Sequence, residues 1–236
     1  MLPNAWDVAS AKRVAEAGFL AVATTSGGIG DSLGWPDGER IPPAEMFGAV
    51  ARIAASVEVP VSADIEAGYG LAPEELASRL LEAGAVGCNL EDTDHARGGL
   101  VEADGQAERL AALKEAAGKL GVDLVVNARV DVFVRQLGKP AERIELALER
   151  ARRYREAGAD CVYPILATEE ELSAFVARHP GPTNGMARPS APRLSVLLEI
   201  GLARISFGSG LLRLGLADLG RRLAAIGEAS DGWSEG

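Results

Sequence analysis

A short phrase recurs along this chain: an Ala/Glu-rich run, a glycine, a small residue, and then an apolar β-prone run. It is seen at Glu16-Ala17-Gly18, Glu82-Ala83-Gly84, Glu156-Ala157-Gly158 and Glu199-Ile200-Gly201. A glycine there can close the last helical turn in the left-handed conformation and hand the chain to a strand. Strands that each follow a helix must be parallel, because only a crossover returns the chain to the same edge. Reading the apolar runs in order gives strand candidates at Leu2 to Asn4, Phe19 to Thr25, Val59 to Glu66, Ala85 to Glu91, Leu124 to Arg129, Cys161 to Ile165, Pro182 to Met186 and Arg204 to Gly208. Helices fill the gaps at Ala9 to Ala17, Pro43 to Ser56, Pro73 to Glu82, Ala103 to Leu120, Pro140 to Glu156, Glu169 to Arg178, Leu194 to Ile200 and Leu211 to Ile226. Eight such units predict an α/β fold of the (β/α)8 barrel type, with active groups at the C-terminal ends of the strands. A doubly wound open sheet is the alternative, although no GxGxxG follows the first strand.

At 236 residues and 47% hydrophobic content the chain suits one core, so residues 1–236 are read as a single domain whose tail, Ser230 to Gly236, frays. The formal net charge of -10, unrelieved by any Lys/Arg cluster, argues against nucleic acid or an anionic membrane as partner. Cys88 and Cys161 lie in apolar contexts without CxxC spacing and read as small core residues in a reducing compartment. No charged leader with an apolar segment and no 18-residue apolar run is present, so a cytoplasmic protein is expected.

On a barrel, the strand ends would share one mouth, and here they are polar. Asp64 and Glu66 alternate on one face at the end of the third strand and repel each other unless a cation answers them. With Glu91 they form the candidate metal set, for which one acid can bind a hard divalent ion while the others hold its waters. Alternatively, Glu91 and Asp92 cap the next helix while Asp64 pairs with Arg129. Arg129 closes an apolar strand, and its fork suits a substrate carboxylate or a developing enolate oxygen, or else support of Glu91 or Asp64. Thr25-Ser26-Gly27 offers N–H groups and hydroxyls to an anion, and Asn184, at the end of the seventh strand, is a further candidate for substrate binding. His95 lies in the loop Thr93 to Leu100, read as a lid or a solvated connection. Tyr69 either hydrogen-bonds at the mouth or packs on its rim, and His179, before Pro180, is placed in a surface turn.

A set of motifs resembles the isocitrate lyase/phosphoenolpyruvate mutase superfamily over nearly the whole chain. They are Asn4-Ala5-Trp6-Asp7, Thr25-Ser26-Gly27, Leu33-Gly34 with Asp37, Asp64-Ile65-Glu66-Ala67-Gly68-Tyr69-Gly70, Asn89-Leu90-Glu91-Asp92 and Ala128-Arg129-Val130. The resemblance implies a barrel that binds magnesium, or manganese in its place, and a small 2-oxo acid, and works on a C–C or P–C bond through an enolate. It implies that Asp64, Glu66 and Glu91 hold the ion and its waters with Asp37 in the outer network, that Thr25, Ser26 and Gly27 take the substrate carboxylate, and that Arg129 stabilises the enolate oxygen. It further implies a homodimer or homotetramer whose subunits exchange a C-terminal helix, here Leu211 to Ile226.

The lid departs from the superfamily pattern. The lyase branch carries Lys-Lys-Cys-Gly-His there, where this chain has Thr93-Asp94-His95-Ala96-Arg97-Gly98-Gly99 and so no catalytic cysteine; at the end of the sixth strand, where the mutase branch has a histidine, this chain has Ile165. The expected activity is therefore a magnesium-dependent lyase of a 2-oxo carboxylic acid. Oxaloacetate decarboxylation, phosphonopyruvate hydrolysis and non-catalytic 2-oxo acid binding are the alternatives. His95, Tyr69 and a metal-bound water are the candidates for proton transfer. A Schiff-base sugar aldolase, raised by Ser206-Phe207-Gly208-Ser209-Gly210, lacks a strand-end lysine.

Overall fold

A computed structural model of the protein describes residues 1–228; the tail Ser230 to Gly236 lies outside the described residues. All eight expected strands are present, most of them shorter than the apolar runs that announced them: β1 Asn4–Ala5, β2 Val22–Thr24, β3 Val61–Asp64, β4 Gly87–Glu91, β5 Val125–Arg129, β6 Cys161–Tyr163, β7 Asn184–Met186 and β8 Arg204–Ser206. The helices are α1 Val8–Glu16, α2 Ser26–Leu33, α3 Pro43–Ala54, α4 Pro73–Glu82, α5 Ala103–Lys119, α6 Pro140–Glu156, α7 Glu169–Arg178, α8 Leu194–Glu199 and α9 Gly210–Gly227.

Strands β1 to β6 pair in parallel in sequence order, as do β7 and β8. Two seams complete the ring. A parallel bridge between Val162 and Thr183 joins β6 to β7, with Val162 N–H donating to Pro182 O at 3.1 Å, an ordinary ladder distance. Leu2 N–H donates to Ile205 O at 2.8 Å, and Phe207 and Gly208 N–H both donate to Asn4 Oδ1, joining β8 to β1. The expected barrel is thus the observed one, and among the described residues it leaves no open sheet edge.

The apolar core lies mainly between strands and helices, where Ile53, Leu80, Leu110, Val126, Val162 and Phe175 are fully enclosed. The barrel interior is unusually polar for a packed parallel sheet. Asn127 donates to Asn89 Oδ1 at 2.7 Å, Asn184 donates to Ser206 Oγ at 3.3 Å, and Ser206 donates to Tyr163 Oη at 3.3 Å. Among the described residues no helix is long and apolar enough to cross a membrane. Both cysteines are free and buried, as expected.

Helix α2 is the element that the residue pattern hid, because Ser-Gly-Gly-Ile-Gly reads as a loop on propensity. Thr25 caps it, accepting from Gly28 N–H at 3.4 Å. Its glycines serve close packing: a Cβ on Gly28 would sit 2.6 Å from Thr25 Cγ2, and one on Gly30 would sit 2.8 Å from Trp35 O. His179 corrects a second expectation. It is 7% exposed and packs on the Phe175 ring, 5.3 Å between centroids, rather than lying in a surface turn.

Candidate active site

The carboxylates meet where β2 to β5 end. Asp64, the last residue of β3, accepts both the N–H and the hydroxyl of Ser26 on Oδ2, at 2.9 and 3.0 Å. Its backbone N–H donates to Thr24 Oγ1 at 2.8 Å, which fixes the strand end from below. Its other oxygen, Oδ1, is buried and has no hydrogen-bond partner. A buried, unpaired carboxylate oxygen is costly unless something positive occupies the space before it. Ser26 Oγ also lies 3.4 Å from Oδ1 of Asp37, which is exposed on the loop after α2. Thr25 Oγ1 lies 3.0 Å from Ser209 Oγ, and a Cβ on Gly27 would come within 2.9 Å of that same Ser209 oxygen and 3.6 Å of Asp37 Oδ2.

Glu66 sits just beyond β3 with φ of 51°. A side-chain-bearing residue held there costs about 1–3 kcal/mol, which the surroundings must offset. They do so through hydrogen bonds: Glu66 Oε2 accepts Gly38 and Glu39 N–H at 2.9 and 2.5 Å, and Oε1 accepts the Tyr69 hydroxyl at 2.9 Å. Tyr69 thus satisfies both expectations, since its ring also makes an edge contact with Phe47 at 6.4 Å.

Burial pushes the Glu66 carboxyl up to about 7; the Glu39 amide and Tyr69 hydroxyl pull it back, and Asp37 and Asp64 add repulsion. Since the folded chain binds this proton more tightly than the unfolded chain, the stabilisation is complete below about 4.5 and is lost as pH rises through about 7. A Glu66→Gln variant resembles the protonated acid. In metal-free buffer it is expected to match wild type near pH 5 and to exceed it by about 2 kcal/mol near pH 8. Thermal melts across that range check this, and a pH-independent difference would contradict it.

Glu91, at the end of β4, is 3% exposed and has two basic neighbours. Arg129 Nη1 lies 2.6 Å from Oε2, and His95 Nε2 lies 2.6 Å from Oε1. Burial raises the Glu91 carboxyl even so, against Arg129 and His95, while the Glu91 hydrogen bond raises the His95 imidazole. The loop Thr93 to Leu100 therefore rests its histidine on a strand-end acid.

Arg129 spends its fork on Asp131, Nε to Oδ1 and Nη2 to Oδ2, both at 2.7 Å. Burial pulls its pKa down, but Asp131 and Glu91 outweigh that and hold it well above the usual value. Of the partners expected for Arg129, Glu91 is found, while Asp64 is held by Ser26. Behind them Asp131 accepts the Thr93 hydroxyl at 2.6 Å, and its N–H donates to Asp92 Oδ1 at 2.9 Å. Asp92 Oδ2 accepts Arg150 at 3.0 Å and the Tyr154 hydroxyl at 2.7 Å, and Arg150 also donates to Val101 O at 2.9 Å. These bonds tie both stems of the lid, Thr93 and Val101, to β5 and α6.

The structure therefore gathers Thr25, Ser26, Gly27, Asp37, Asp64, Glu66, Glu91, His95 and Arg129 at one end of the barrel. Asn184 is the exception: it is fully buried within the barrel and bonded to Ser206 rather than to the carboxylates. Residue spacing gives no sign of Glu39 as part of the site. Asp92 and Asp131 signal themselves by their strand-end positions alone, and Ser209 only within Ser206-Phe207-Gly208-Ser209-Gly210. Among the described residues no three His, Cys, Asp or Glu side chains converge into a ready-made metal cage.

Comparison with known proteins places these features. A solved structure described as a putative phosphonomutase from Burkholderia cenocepacia superimposes with a TM-score of 0.88 at 38% identity, over 94% of this chain and 92% of that one. An uncharacterized protein of Mycobacterium tuberculosis is 36% identical over 211 residues, 89% of this chain and 77% of the relative. The 2-methylisocitrate lyase of Bacillus subtilis is 31% identical over 191 residues, 77% of this chain and 60% of that enzyme. The family model for phosphoenolpyruvate phosphomutase matches residues 1–227, and the chain belongs to that family.

Proposed function

We propose that the protein is a magnesium-dependent lyase of a 2-oxo carboxylic acid, cleaving a C–C bond through an enolate. The observation that carries this reading is the bare Oδ1 of Asp64, whose other oxygen is held by Ser26, at a mouth where the Arg129 guanidinium is locked by Asp131. A single free carboxylate oxygen suits an ion that keeps most of its waters, with Glu66 and Glu91 positioned to hold those waters, rather than a cage of three direct ligands. Bound there, the ion supplies Lewis acidity to the carboxylate and keto oxygens of the substrate.

The remaining roles fall to the chain. The N-terminus of α2, where the Gly27 amide and the Thr25 hydroxyl lie, favours a carboxylate through its positive end, while the Ser26 amide is held by Asp64. As the bond to C3 breaks, negative charge grows on the keto oxygen, and Arg129, kept cationic by Asp131 and Glu91, offsets it. His95, already at the acids on a folded lid, is placed to give the product carbon its proton, with Tyr69 the other candidate. Asp37 completes the outer network.

Assay of the purified chain with magnesium over a panel of 2-oxo and 2-hydroxy dicarboxylic acids tests the proposal. Release of a shorter 2-oxo acid together with a second organic fragment, and without carbon dioxide or phosphate, supports the proposed C–C cleavage. Release of carbon dioxide from oxaloacetate or of phosphate from phosphonopyruvate would replace the assignment by one of those activities, and binding without turnover would reduce the protein to a 2-oxo acid binder.

The subunit arrangement belongs to the same proposal. In α9, Leu216, Leu219, Leu223 and Ile226 recur at helical spacing and are 46–57% exposed. A stripe of this kind on a helix at the end of the chain fits exchange of α9 between subunits of a dimer or tetramer. Light scattering is expected to give two or four copies, and a chain ending before Leu211 is expected to be monomeric. A monomeric full-length protein would remove the exchange.

A further inference from the structure

The loop of residues 34–42, between α2 and α3, is fastened to the turn after β3 by two carboxylates that point in opposite directions. From the turn, Glu66 Oε2 accepts the N–H groups of Gly38 and Glu39 at 2.9 and 2.5 Å. From the loop, Glu39 Oε1 accepts the N–H of Tyr69. The Tyr69 hydroxyl closes the circuit on Glu66 Oε1 at 2.9 Å. Glu39, Glu66 and Tyr69 all carry positive φ, 58°, 51° and 56°, in a region that side chains rarely adopt. Three such residues in one contact show that the two segments hold each other in shape, since neither has a regular ladder to do so.

What the clamp holds matters for the site. Asp37 directly precedes Gly38 and reaches toward Ser26, the residue that orients Asp64. Gly38 also forms the floor under the lid: a Cβ built there would lie 3.5 Å from His95 Nδ1. Release of the loop would therefore displace Asp37 and remove the surface on which His95 rests above Glu91. Arg109, donating to Leu71 O at 3.2 Å from α5, steadies the same turn from behind.

We infer that Glu39 is a positioning residue: through its bond to the Tyr69 amide it locks the Asp37 loop to the β3 turn and so holds the mouth in its closed arrangement. Its bond to Tyr69 needs an acceptor oxygen and not a charge, so Glu39→Gln should preserve the lock and Glu39→Ala should release it. The consequence for turnover rests on the proposed lyase function; the clamp itself does not.

Hydrogen–deuterium exchange on the full chain tests the clamp without any assay. In Glu39→Ala, peptides covering residues 37–41 and 66–71 are expected to exchange about tenfold faster, while those covering β4 and β5 keep wild-type protection and so report an intact barrel. Glu39→Gln is expected to stay within about threefold of wild type in every peptide. With the 2-oxo acid that wild type turns over, Glu39→Ala should raise KM about tenfold and leave kcat within about threefold, because saturating substrate repopulates the closed mouth. Wild-type exchange in Glu39→Ala, or exchange in Glu39→Gln as fast as in Glu39→Ala, would overturn the inference. If wild type turned over no member of the panel, the lyase proposal would fall while the exchange data still decided the clamp.

Discussion

Asp64→Ala is expected to lower kcat/KM for the accepted 2-oxo acid by about 10³ to 10⁵-fold, the several kcal/mol that a bound divalent ion contributes to charge stabilisation. The same change should abolish the rise in melting temperature that magnesium gives wild type, which at one hundred times its Kd amounts to about 2.7 kcal/mol. Stability in metal-free buffer should respond differently, because Asp64 does two things with two oxygens. Oδ2 satisfies the Ser26 amide and hydroxyl, and its loss leaves a buried donor at the start of α2, for about 1–3 kcal/mol. Oδ1 has no partner to lose. Asp64→Asn separates the roles: an amide oxygen can still accept from Ser26 while the charge is gone. It is expected to restore most of the metal-free stability and none of the turnover. Calorimetric titration with magnesium, alongside the assay, checks both, and an Asp64→Asn protein with wild-type turnover would remove the metal from the site.

Strands β2 to β6 were legible because each lies in an apolar run containing valine and ended by polar or aromatic groups, and a glycine marks the helix end before β2, β4, β6 and β8. Those signals are local, and local signals survive in sequence. Helix α2 was not legible for a reason just as local. Its glycines at 27, 28 and 30 are there so that Trp6, Ser209 and the Trp35 carbonyl can approach, and such packing contradicts propensity. Asp64, Glu66, Glu91 and Arg129 stood out because paired acids and a strand-end arginine demand partners. Their actual partners did not stand out. Asp131 takes the Arg129 fork by turning back over two residues, and Asp92 reaches Arg150 and Tyr154 across 58 and 62 positions. Glu39 finds Tyr69 across 30. No spacing encodes contacts of that range. They exist only because the barrel has closed, and they decide how far each acid is free to meet a ligand.

Arg129 is the residue on which that closure bears most heavily. It lies between Glu91, 3% exposed, and Asp131, fully buried, and it gives one nitrogen to the first and two to the second. Removing it leaves two enclosed carboxylates without a cation, so Arg129→Ala is expected to cost about 3–5 kcal/mol at pH 8. Glu91, whose carboxyl burial already raises, would then bind its proton still more tightly in the folded chain than in the unfolded one. Its contribution would be regained as pH falls, and the deficit relative to wild type should shrink between pH 8 and pH 5. Urea denaturation at the two pH values measures this, and a deficit under 1 kcal/mol at both would mean that the acids are neutralised some other way. Arg129→Lys distinguishes charge from shape. An ammonium restores a positive charge but cannot span both Asp131 oxygens while touching Glu91, so part of the stability should return. Turnover should not return with it: loss of a donor fixed on the developing oxyanion costs about 10²–10³-fold in kcat, and a lysine free to swing among three acids provides no fixed donor.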